Sequence, residues 1–279
     1  MNLIHWLVCV RFIGCIKIII IVMVKVLELF SGTKSVGKIC DELSWEVISL
    51  DLKNATINVD ILNWNYKESY KPFDFDIIWA SPPCDTFSIA RSCNIGRHLK
   101  RKDGKGMYIL TKKNLQEDID NFGLPILRKT QEIIDYFKPT FFFIENPQTG
   151  KMKDYLEYPF YDVDYCKYSD WGYRKQTRIW TNLSGFIPKK CKLDCDNIIP
   201  NTKCHKRAIG NGRVIMVDNK IKRIKGKEEL EKYKDYPQIQ NYVCGGGDRR
   251  TERYRIPPNL IKELFSISQT MLNLHLIKL

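Results

Sequence analysis

Acidic residues and long apolar runs are both scarce in this sequence, and each shortage narrows what the protein can be. The 279 residues contain 32 Asp and Glu against 45 Lys and Arg, a formal net charge of +13. Such an excess of positive charge favours an anionic partner, with nucleic acid and anionic lipid as the leading candidates. Hydrophobic residues still make up 44% of the chain, which excludes disorder of the whole chain and suffices for one large domain.

No apolar segment near the N-terminus meets the requirements of a membrane span or a cleaved leader. Residues 3–24 are rich in Ile, Val and Leu, but Arg11 and Lys17 interrupt them, and the uncharged run after Lys17 covers only 18–24. A spanning helix needs about 20 predominantly apolar residues, and a signal peptide carries its charges before the apolar run. We therefore expect residues 1–22 to be a dispensable extension; a packed helix or strand and membrane association are the alternatives.

Regular cysteine spacing is also missing, although the chain contains ten cysteines. Irregular spacing in a chain of this length argues against a disulfide scaffold, so we expect free thiols in a reducing compartment. Cys191, Cys195, Cys204 and His205 have the residue types of a zinc site. Because Cys204 and His205 are adjacent, they are poorly placed to bind one ion together, and we expect no metal here.

After residue 22, short apolar runs alternate with helical stretches, and this alternation predicts an α/β fold built on one sheet. The predicted strands are Val24–Phe30, Trp45–Leu50, Ala55–Val59, Phe75–Ala80 and Thr140–Ile144. A helical pattern over Glu117–Phe137, interrupted by Gly-Leu-Pro, and a helix from Pro258 complete the pattern. Ligands of such sheets bind beyond the carboxyl ends of the strands, so the site is expected there.

Charge divides the chain into regions. Residues 186–255 contain 18 Lys and Arg against 9 Asp and Glu, a net charge of +9. We expect a catalytic domain at 23–185, a small, basic, loop-rich region at 186–255, and a C-terminal helix at 256–279 that returns to the catalytic domain. A second basic run, residues 97–113, holds seven Lys and Arg against one Asp, which suits phosphate contacts; a solvated surface loop is the alternative.

Three strand ends carry residues suited to an adenosine-bearing cofactor. The turn after the first strand consists of Phe30, Ser31, Gly32 and Thr33. Glycine in such a turn lets the backbone approach a ligand closely. Asp51 and Asp60, at the ends of the next two strands, can accept hydrogen bonds from a ribose diol and an adenine amino group; helix capping is the alternative for each. A G-x-G-x-x-G spacing is missing from this turn, which argues against a dinucleotide.

The segment Pro82-Pro83-Cys84 at the end of the fourth strand carries the strongest chemical signal. Two prolines fix the backbone and present the cysteine rigidly, and a thiolate is a strong nucleophile; a buried structural cysteine is the alternative. Glu145 follows the fifth strand, where its carboxyl group can hydrogen-bond or protonate a heterocycle. Arg178 lies in a strand-like run and offers a donor fork for a carbonyl or carboxylate.

In this order the motifs resemble those of DNA cytosine-5 methyltransferases, especially the short single-chain kind of viruses and phages. The resemblance covers about residues 24–182, with a weaker tail at 253–275, and rests most on the Pro-Cys and Glu-Asn-Pro motifs. It implies a Rossmann-like S-adenosylmethionine-dependent methyltransferase sheet with 186–255 as the target-recognition region. Where the family has Gly-x-Gly, this chain has Gly32-Thr33-Lys34.

The resemblance also implies a role for each site residue. The implied S-adenosylmethionine-binding positions are Phe30, Ser31, Gly32, Thr33, Asp51, Asp60 and Pro82. Cys84 would be the nucleophile, Glu145 would hold cytosine N3, and Arg178 would contact cytosine O2. The further implied substrate-binding positions are Pro83, Ser88 and Asn146. The thiolate would add to C6 and so activate C5, on a base flipped out of the duplex.

Double-stranded DNA is thus the expected partner of a monomeric enzyme in the cytoplasm, the host's cytoplasm if the chain is viral. The recognition sequence and the presence of a companion restriction nuclease stay open. A tRNA cytosine-5 methyltransferase of the same fold and a non-catalytic DNA-binding relative are alternatives. An amino-methyltransferase is a third, because Ser81-Pro82-Pro83 resembles a Ser-Pro-Pro motif of those enzymes; they place an aromatic residue where this chain has Cys84.

Overall fold

The computed structural model describes residues 5–12, 15–208, 213–218, 220–224, 227–239, 241–242 and 252–277. The first two strands, β1 (His5–Phe12) and β2 (Cys15–Val22), form an antiparallel hairpin that is not part of the central sheet. The strands that follow, up to the basic region, are β3 (Lys25–Leu29), β4 (Glu46–Asp51), β5 (Ile57–Asn58), β6 (Ile77–Ala80), β7 (His98–Lys100), β8 (Met107–Ile109), β9 (Phe141–Pro147), β10 (Phe160–Asp164) and β11 (Gln176–Thr181).

The central sheet has seven strands in the order β10-β11-β9-β6-β3-β4-β5. The strands from β9 to β5 pair in parallel, and β11 runs antiparallel to both of its neighbours. The carboxyl ends of β3, β4, β6 and β9 therefore meet at one edge of the sheet, as expected for a doubly wound α/β fold. Strands β7 and β8 form a separate antiparallel hairpin, residues 98–109, called the basic hairpin below.

Helices cover both faces of the sheet. They are α1 (Ser35–Glu42), α2 (Tyr66–Ser69), α3 (Lys112–Asp118), α4 (Leu124–Phe137), α5 (Lys227–Lys232) and α6 (Pro258–Ile277), with a π-helical turn at Ile119–Gly123 between α3 and α4. One face of the sheet buries Val26, Trp79 and Phe143 against α1 and α6, and the opposite face buries alternate strand residues such as Leu27 and Phe142 against α4. This two-sided burial explains the nearly continuous apolar runs of the strands.

In the part of the basic region that the structure describes, the elements are short. They are β12 (Arg207–Ala208), β13 (Arg213–Val217), β14 (Lys220–Ile224), α5 and β15 (Asn241–Tyr242), and their strands pair among themselves. Within the described residues, no helix is long and apolar enough to cross a membrane.

The predicted strands and helices are confirmed, with ends shifted by a few residues. The predicted helix at Glu117–Phe137 begins earlier, at Lys112, and its Gly-Leu-Pro interruption coincides with the end of the π-helical turn. Gly123 is required at this point, because a Cβ atom there would lie 2.5 Å from Thr86 Oγ1 and 2.9 Å from the Phe87 ring. The glycine thus lets the helix approach the loop that follows Cys84.

Candidate active site

The carboxyl ends of the central strands enclose a cavity of 1090 Å³. Its volume exceeds that of a typical single-ligand pocket, so a cofactor and a substrate group can share it. The predicted site residues that line it are Phe30, Ser31, Gly32, Thr33, Asp51, Asp60, Pro82, Pro83, Cys84, Ser88, Glu145 and Asn146. The structure therefore brings together every predicted site residue except Arg178.

The turn after β3 is held by backbone and carboxylate contacts. Ser31 N donates to Leu50 O at 3.1 Å, and Gly32 N donates to Asp51 Oδ2 at 2.9 Å. The other oxygen of Asp51 accepts from Leu52 N at 2.7 Å. Asp51 thus fixes the turn, and it also lines the cavity.

Three alternate residues of this turn have unusual backbone angles. The φ values are +61° at Phe30, +39° at Gly32 and +54° at Lys34, all in the left-handed region. That region is unstrained for glycine but costs a residue with a side chain about 1–2 kcal/mol. Lys34, where the related motif has glycine, therefore keeps the turn's geometry at an energetic cost.

A buried carboxyl group supports the same turn from below. Glu28 on β3 accepts hydrogen bonds from Val36 N and Gly37 N, both at 3.1 Å, in the first turn of α1. Burial raises the pKa of Glu28 to about 7, against the lowering influence of these two N–H groups. Sequence reasoning missed this residue, because a glutamate within an apolar strand gave no separate signal.

Asp60 is exposed at the cavity rim and caps a short 3-10 helix by accepting from Leu62 N at 3.0 Å. It is therefore a helix cap as well as a cavity residue. The C-terminal segment closes the same end of the cavity with Arg253, Tyr254 and Ile256. Ile256 N donates to Ser35 Oγ at 3.0 Å, which ties this segment to the start of α1.

The nucleophile loop is anchored from the neighbouring strand. Asn146 on β9 is buried, and its Nδ2 donates to Pro82 O at 2.8 Å. This contact orients the Pro82-Pro83-Cys84 backbone. Cys84 itself is half-buried in the cavity. Burial raises the pKa of its thiol, whereas nearby Lys175 and Arg253 lower it.

Glu145 lies beside this loop in a buried network of charged and polar groups. Tyr165 Oη donates to Glu145 Oε1 at 2.8 Å, and Lys175 Nζ donates to the same oxygen at 3.4 Å. Lys175 also donates to Arg253 O at 3.3 Å and lies 4.7 Å from the centre of the Tyr165 ring. The carboxylate is thus held in one orientation by Tyr165 and Lys175.

Arg178 does not reach the cavity. It forms two hydrogen bonds with Asp162 on β10, Nε to Oδ1 at 2.7 Å and Nη2 to Oδ2 at 2.9 Å, and it stacks on Phe160. In the sheet register Arg178 lies opposite Asp162 on β10 and Asn146 on β9, whereas Ile179 lies opposite Glu145. Arg178 therefore faces away from Glu145, and its expected contact with the substrate is not supported by the geometry.

The cations that do line the cavity were missed by sequence reasoning. They include Arg174, Lys175 and Arg253. The alternation of strand faces could have identified Lys175. It lies two residues before Thr177 and four before Ile179, and so on the same face as these residues, which is the face of Glu145. Arg253 begins the weaker tail of the resemblance at 253–275, but the resemblance implied no role for it.

The basic hairpin is attached to the nucleophile loop. Lys102 forms an ion pair with Asp85, the residue after Cys84. At the hairpin base, Asp118 Oδ2 accepts from Arg91 Nη2 at 2.5 Å and from Tyr108 Oη at 2.8 Å. Other cations of this segment, among them Arg97, Lys100, Lys105, Lys112 and Lys113, are exposed. The segment thus presents positive charge beside the mouth of the cavity.

No protein-family model matches the chain. A protein of Frog virus 3 (isolate Goorha), described as a "probable DNA (cytosine-5)-methyltransferase", is 42% identical over 247 residues, which cover 87% of this chain and 99% of that protein.

Two solved structures are also similar to the chain. The Entamoeba histolytica methyltransferase EhMeth is 14% identical, with 90% of this chain and 99% of that chain covered and a TM-score of 0.49. The S. pombe Dnmt2 methyltransferase is 14% identical, with a TM-score of 0.35. That match covers 59% of this chain and about half, 52%, of the Dnmt2 chain.

The identity to the viral relative extends over nearly its whole length, and the strand ends carry the Pro-Cys and Glu-Asn motifs side by side in one cavity. The chain belongs to the DNA (cytosine-5)-methyltransferase family.

Proposed function

We propose that the protein transfers a methyl group from S-adenosylmethionine to C5 of cytosine in DNA, with Cys84 as the covalent nucleophile. The observation that carries the proposal is the convergence of Cys84, Glu145 and Lys175 in one cavity, next to the turn that Asp51 holds.

The donor set of the cavity's other end fits S-adenosylmethionine. Asp51 and Asp60 supply carboxylate oxygens for hydroxyl and amino groups, and Leu52, Val59 and Ile61 supply apolar contacts for a purine ring. The turn at Ser31, Gly32 and Thr33 brings the backbone to the ligand. When bound there, this cofactor supplies the methyl group that cytosine C5 takes up and leaves as S-adenosylhomocysteine.

C5 of cytosine is too poor a nucleophile to attack the methyl group directly. A nucleophile of the protein must therefore first add to the ring. Addition of the Cys84 thiolate forms a bond to C6 and makes C5 electron-rich. Glu145, oriented by Tyr165, is placed to hold N3 and its proton as charge develops on the ring. C5 then takes up the methyl group, water accepts the C5 proton, and the C6–S bond breaks, which releases the Cys84 thiolate and restores the C5–C6 double bond.

Lys175 takes the place that sequence analysis gave to Arg178. Its ammonium group pairs with Glu145 and lies in the same cavity as Cys84, whose pKa it lowers, so it favours the thiolate and can donate to an oxygen of the bound base. Asn146 positions the nucleophile loop through Pro82 O.

DNA as the substrate is supported by the viral relative's description and by charge. The exposed cations at 97–113 lie beside the cavity mouth, and phosphate contacts from such a segment would hold DNA there. Because a C5 atom is inaccessible within a duplex, the target base must enter the cavity flipped out.

Covalent trapping tests the proposal. The protein is incubated with S-adenosylmethionine and a duplex containing 5-fluorocytosine, in which fluorine blocks the final elimination. We expect a denaturant-resistant adduct with the wild-type protein and none with Cys84→Ala. Cys93→Ala is the matched control, because Cys93 is an exposed free cysteine of the following segment.

The same oligonucleotide sequence made as RNA separates the remaining possibilities. An adduct on RNA but not on DNA would move the substrate to RNA. Radiolabelled methyl transfer without an adduct would point to an exocyclic nitrogen, and neither signal over sequence-diverse DNA would point to a non-catalytic DNA-binding protein.

A further inference from the structure

A second cluster of reactive side chains lies outside the cavity. Cys166 follows β10 in a short 3-10 helix, and Cys191, Cys195 and His205 come from the beginning of the basic region. None of these four residues lines the active-site cavity. Their ligand atoms all lie within 4.8 Å of one another, and Cys166, Cys191 and His205 are buried.

The three distances among Cys191, Cys195 and His205 match the edges of a zinc coordination tetrahedron. Zn–S bonds of about 2.3 Å and Zn–N bonds of about 2.0–2.1 Å place two sulfurs about 3.8 Å apart and a sulfur and nitrogen about 3.5 Å apart. Cys191 Sγ lies 3.6 Å from Cys195 Sγ, and His205 Nε2 lies 3.6 Å and 3.4 Å from these two sulfurs. The side chains already occupy three corners of one small polyhedron.

The surrounding residues hold this arrangement in place. The loop between Cys191 and Cys195 turns back at Leu193, whose φ of +66° lies in the left-handed region. Cys191 N donates to Asp164 Oδ2 at 2.7 Å. The buried Asn197 links three loops, because its Nδ2 donates to Cys166 O at 2.9 Å while its Oδ1 accepts from Gly172 N at 2.9 Å.

We propose that Cys166, Cys191, Cys195 and His205 bind one structural Zn²⁺ ion. Three thiolates and an imidazole are a ligand set that zinc prefers, and four protein ligands leave no position for a substrate or water. The ion would join the end of β10 to the start of the basic region, and so fix that region against the edge of the central sheet.

This ligand set differs from the one considered in the sequence, and the expectation of free thiols with no metal gives way to it. Cys204 lies outside the cluster. The fourth member is instead Cys166, which is separated from Cys191 in the sequence by strand β11. The adjacency of Cys204 and His205 therefore presents no obstacle to zinc binding.

Metal analysis of the full chain tests the proposal. The protein is purified under reducing conditions, dialysed, and its zinc content is measured by mass spectrometry, for the wild type, Cys166→Ser, Cys195→Ser and Cys204→Ser. We expect about one zinc per chain in the wild type and in Cys204→Ser, and at least a tenfold loss in the other two variants. Cys204→Ser is the matched control, because it removes a thiol next to His205 but outside the cluster.

A second measurement covers the case in which the serine variants fail to fold. Wild-type protein is stripped with a chelator and titrated with Co²⁺, whose visible spectrum reports a tetrahedral site with thiolate ligands. We expect saturation at one Co²⁺ per chain and displacement of that ion by Zn²⁺.

Three results would overturn the proposal. The first is a wild-type protein with neither bound zinc nor a tetrahedral Co²⁺ spectrum. The second is a Cys191–Cys195 disulfide, found by alkylation and mass spectrometry of protein that carries no metal. The third is zinc retained by a folded Cys166→Ser variant but lost from Cys204→Ser.

Discussion

Replacing Lys175 by methionine is the most direct test of how the active site activates its nucleophile. Methionine keeps much of the length and apolar volume of the side chain but removes its charge. Lys175 Nζ lies 3.4 Å from Glu145 Oε1, and the two side chains are only 13% and 7% exposed. With an effective dielectric constant of about 20, the attraction at this distance is about 5 kcal/mol before the cost of desolvation.

Two effects on the reaction follow from this geometry. Removing one partner of a buried pair leaves the other uncompensated, at a cost of about 3–5 kcal/mol, and Glu145 then keeps only Tyr165 of the two side chains that orient it. Lys175 also lowers the pKa of Cys84 against the raising effect of burial. Without it the pKa of Cys84 rises, and each unit of rise reduces the thiolate fraction about tenfold at a given pH below the pKa.

We expect Lys175→Met to slow adduct formation on the 5-fluorocytosine duplex at least about tenfold near neutral pH. The acid limb of the rate's pH dependence should move to higher pH, because the thiolate forms only at higher pH, and Lys175→Arg should restore part of the rate. Rates are measured by quenching at timed intervals between pH 6 and 9, under single-turnover conditions.

The matched control is Arg178→Met, three residues later in the chain. Its guanidinium binds Asp162 rather than the cavity, so this variant should lose stability but trap DNA within about threefold of the wild-type rate. The reasoning would be refuted if Lys175→Met kept the wild-type rate and pH profile while a folded Arg178→Met lost trapping.

Three further predictions concern the supporting structure. The raised pKa of Glu28 means that its contribution to stability is complete below pH 4.5 and falls by about 3 kcal/mol as the pH rises to about 7. Glu28→Gln should therefore remove this pH dependence from the free energy of unfolding, measured in urea at several pH values. An unchanged pH dependence in this variant would contradict the prediction. Lys34→Gly should remove left-handed strain and raise the free energy of unfolding by about 1 kcal/mol, whereas destabilisation would argue against the φ of +54°. Gly123→Ala should cost about 2 kcal/mol and slow trapping, because its Cβ displaces Thr86 and Phe87; a neutral effect in thermal unfolding and trapping would show that the loop yields freely.

The sequence predicted those features that depend on strand order and strand ends. Cys84 and Glu145 follow directly after apolar strands, and parallel pairing of β6 with β9 brings their ends together without further information. The role of Arg178 was predicted from its motif position alone and stays a prediction, and its pairing with Asp162 depends on the register of β10 with β11, which the motif does not give. Cys166 was missed because its neighbours come from a region 25 or more residues later, and such long-range contacts have no local signature.

The connection between β10 and β11 joins the active site to the proposed zinc site. Tyr165 donates to Glu145, and the next residue, Cys166, is a zinc ligand. Asp164 accepts both from Cys191 N and from Arg174 Nη2 at 2.9 Å, and Arg174 precedes Lys175. Asp164 and Cys166 therefore contact or form the proposed zinc site, whereas Tyr165, which lies between them in the sequence, contacts the active site.

Loss of the zinc should consequently affect chemistry as well as folding. A metal-stripped protein that keeps its secondary structure should trap the 5-fluorocytosine duplex more slowly, because Tyr165 and Lys175 lose the anchors that place them against Glu145. Addition of Zn²⁺ should restore the rate, and Cys204→Ser should behave as the wild type throughout. Full trapping by a stripped and folded protein would show that the β10–β11 connection holds Tyr165 and Lys175 without the ion, and would confine zinc to the basic region.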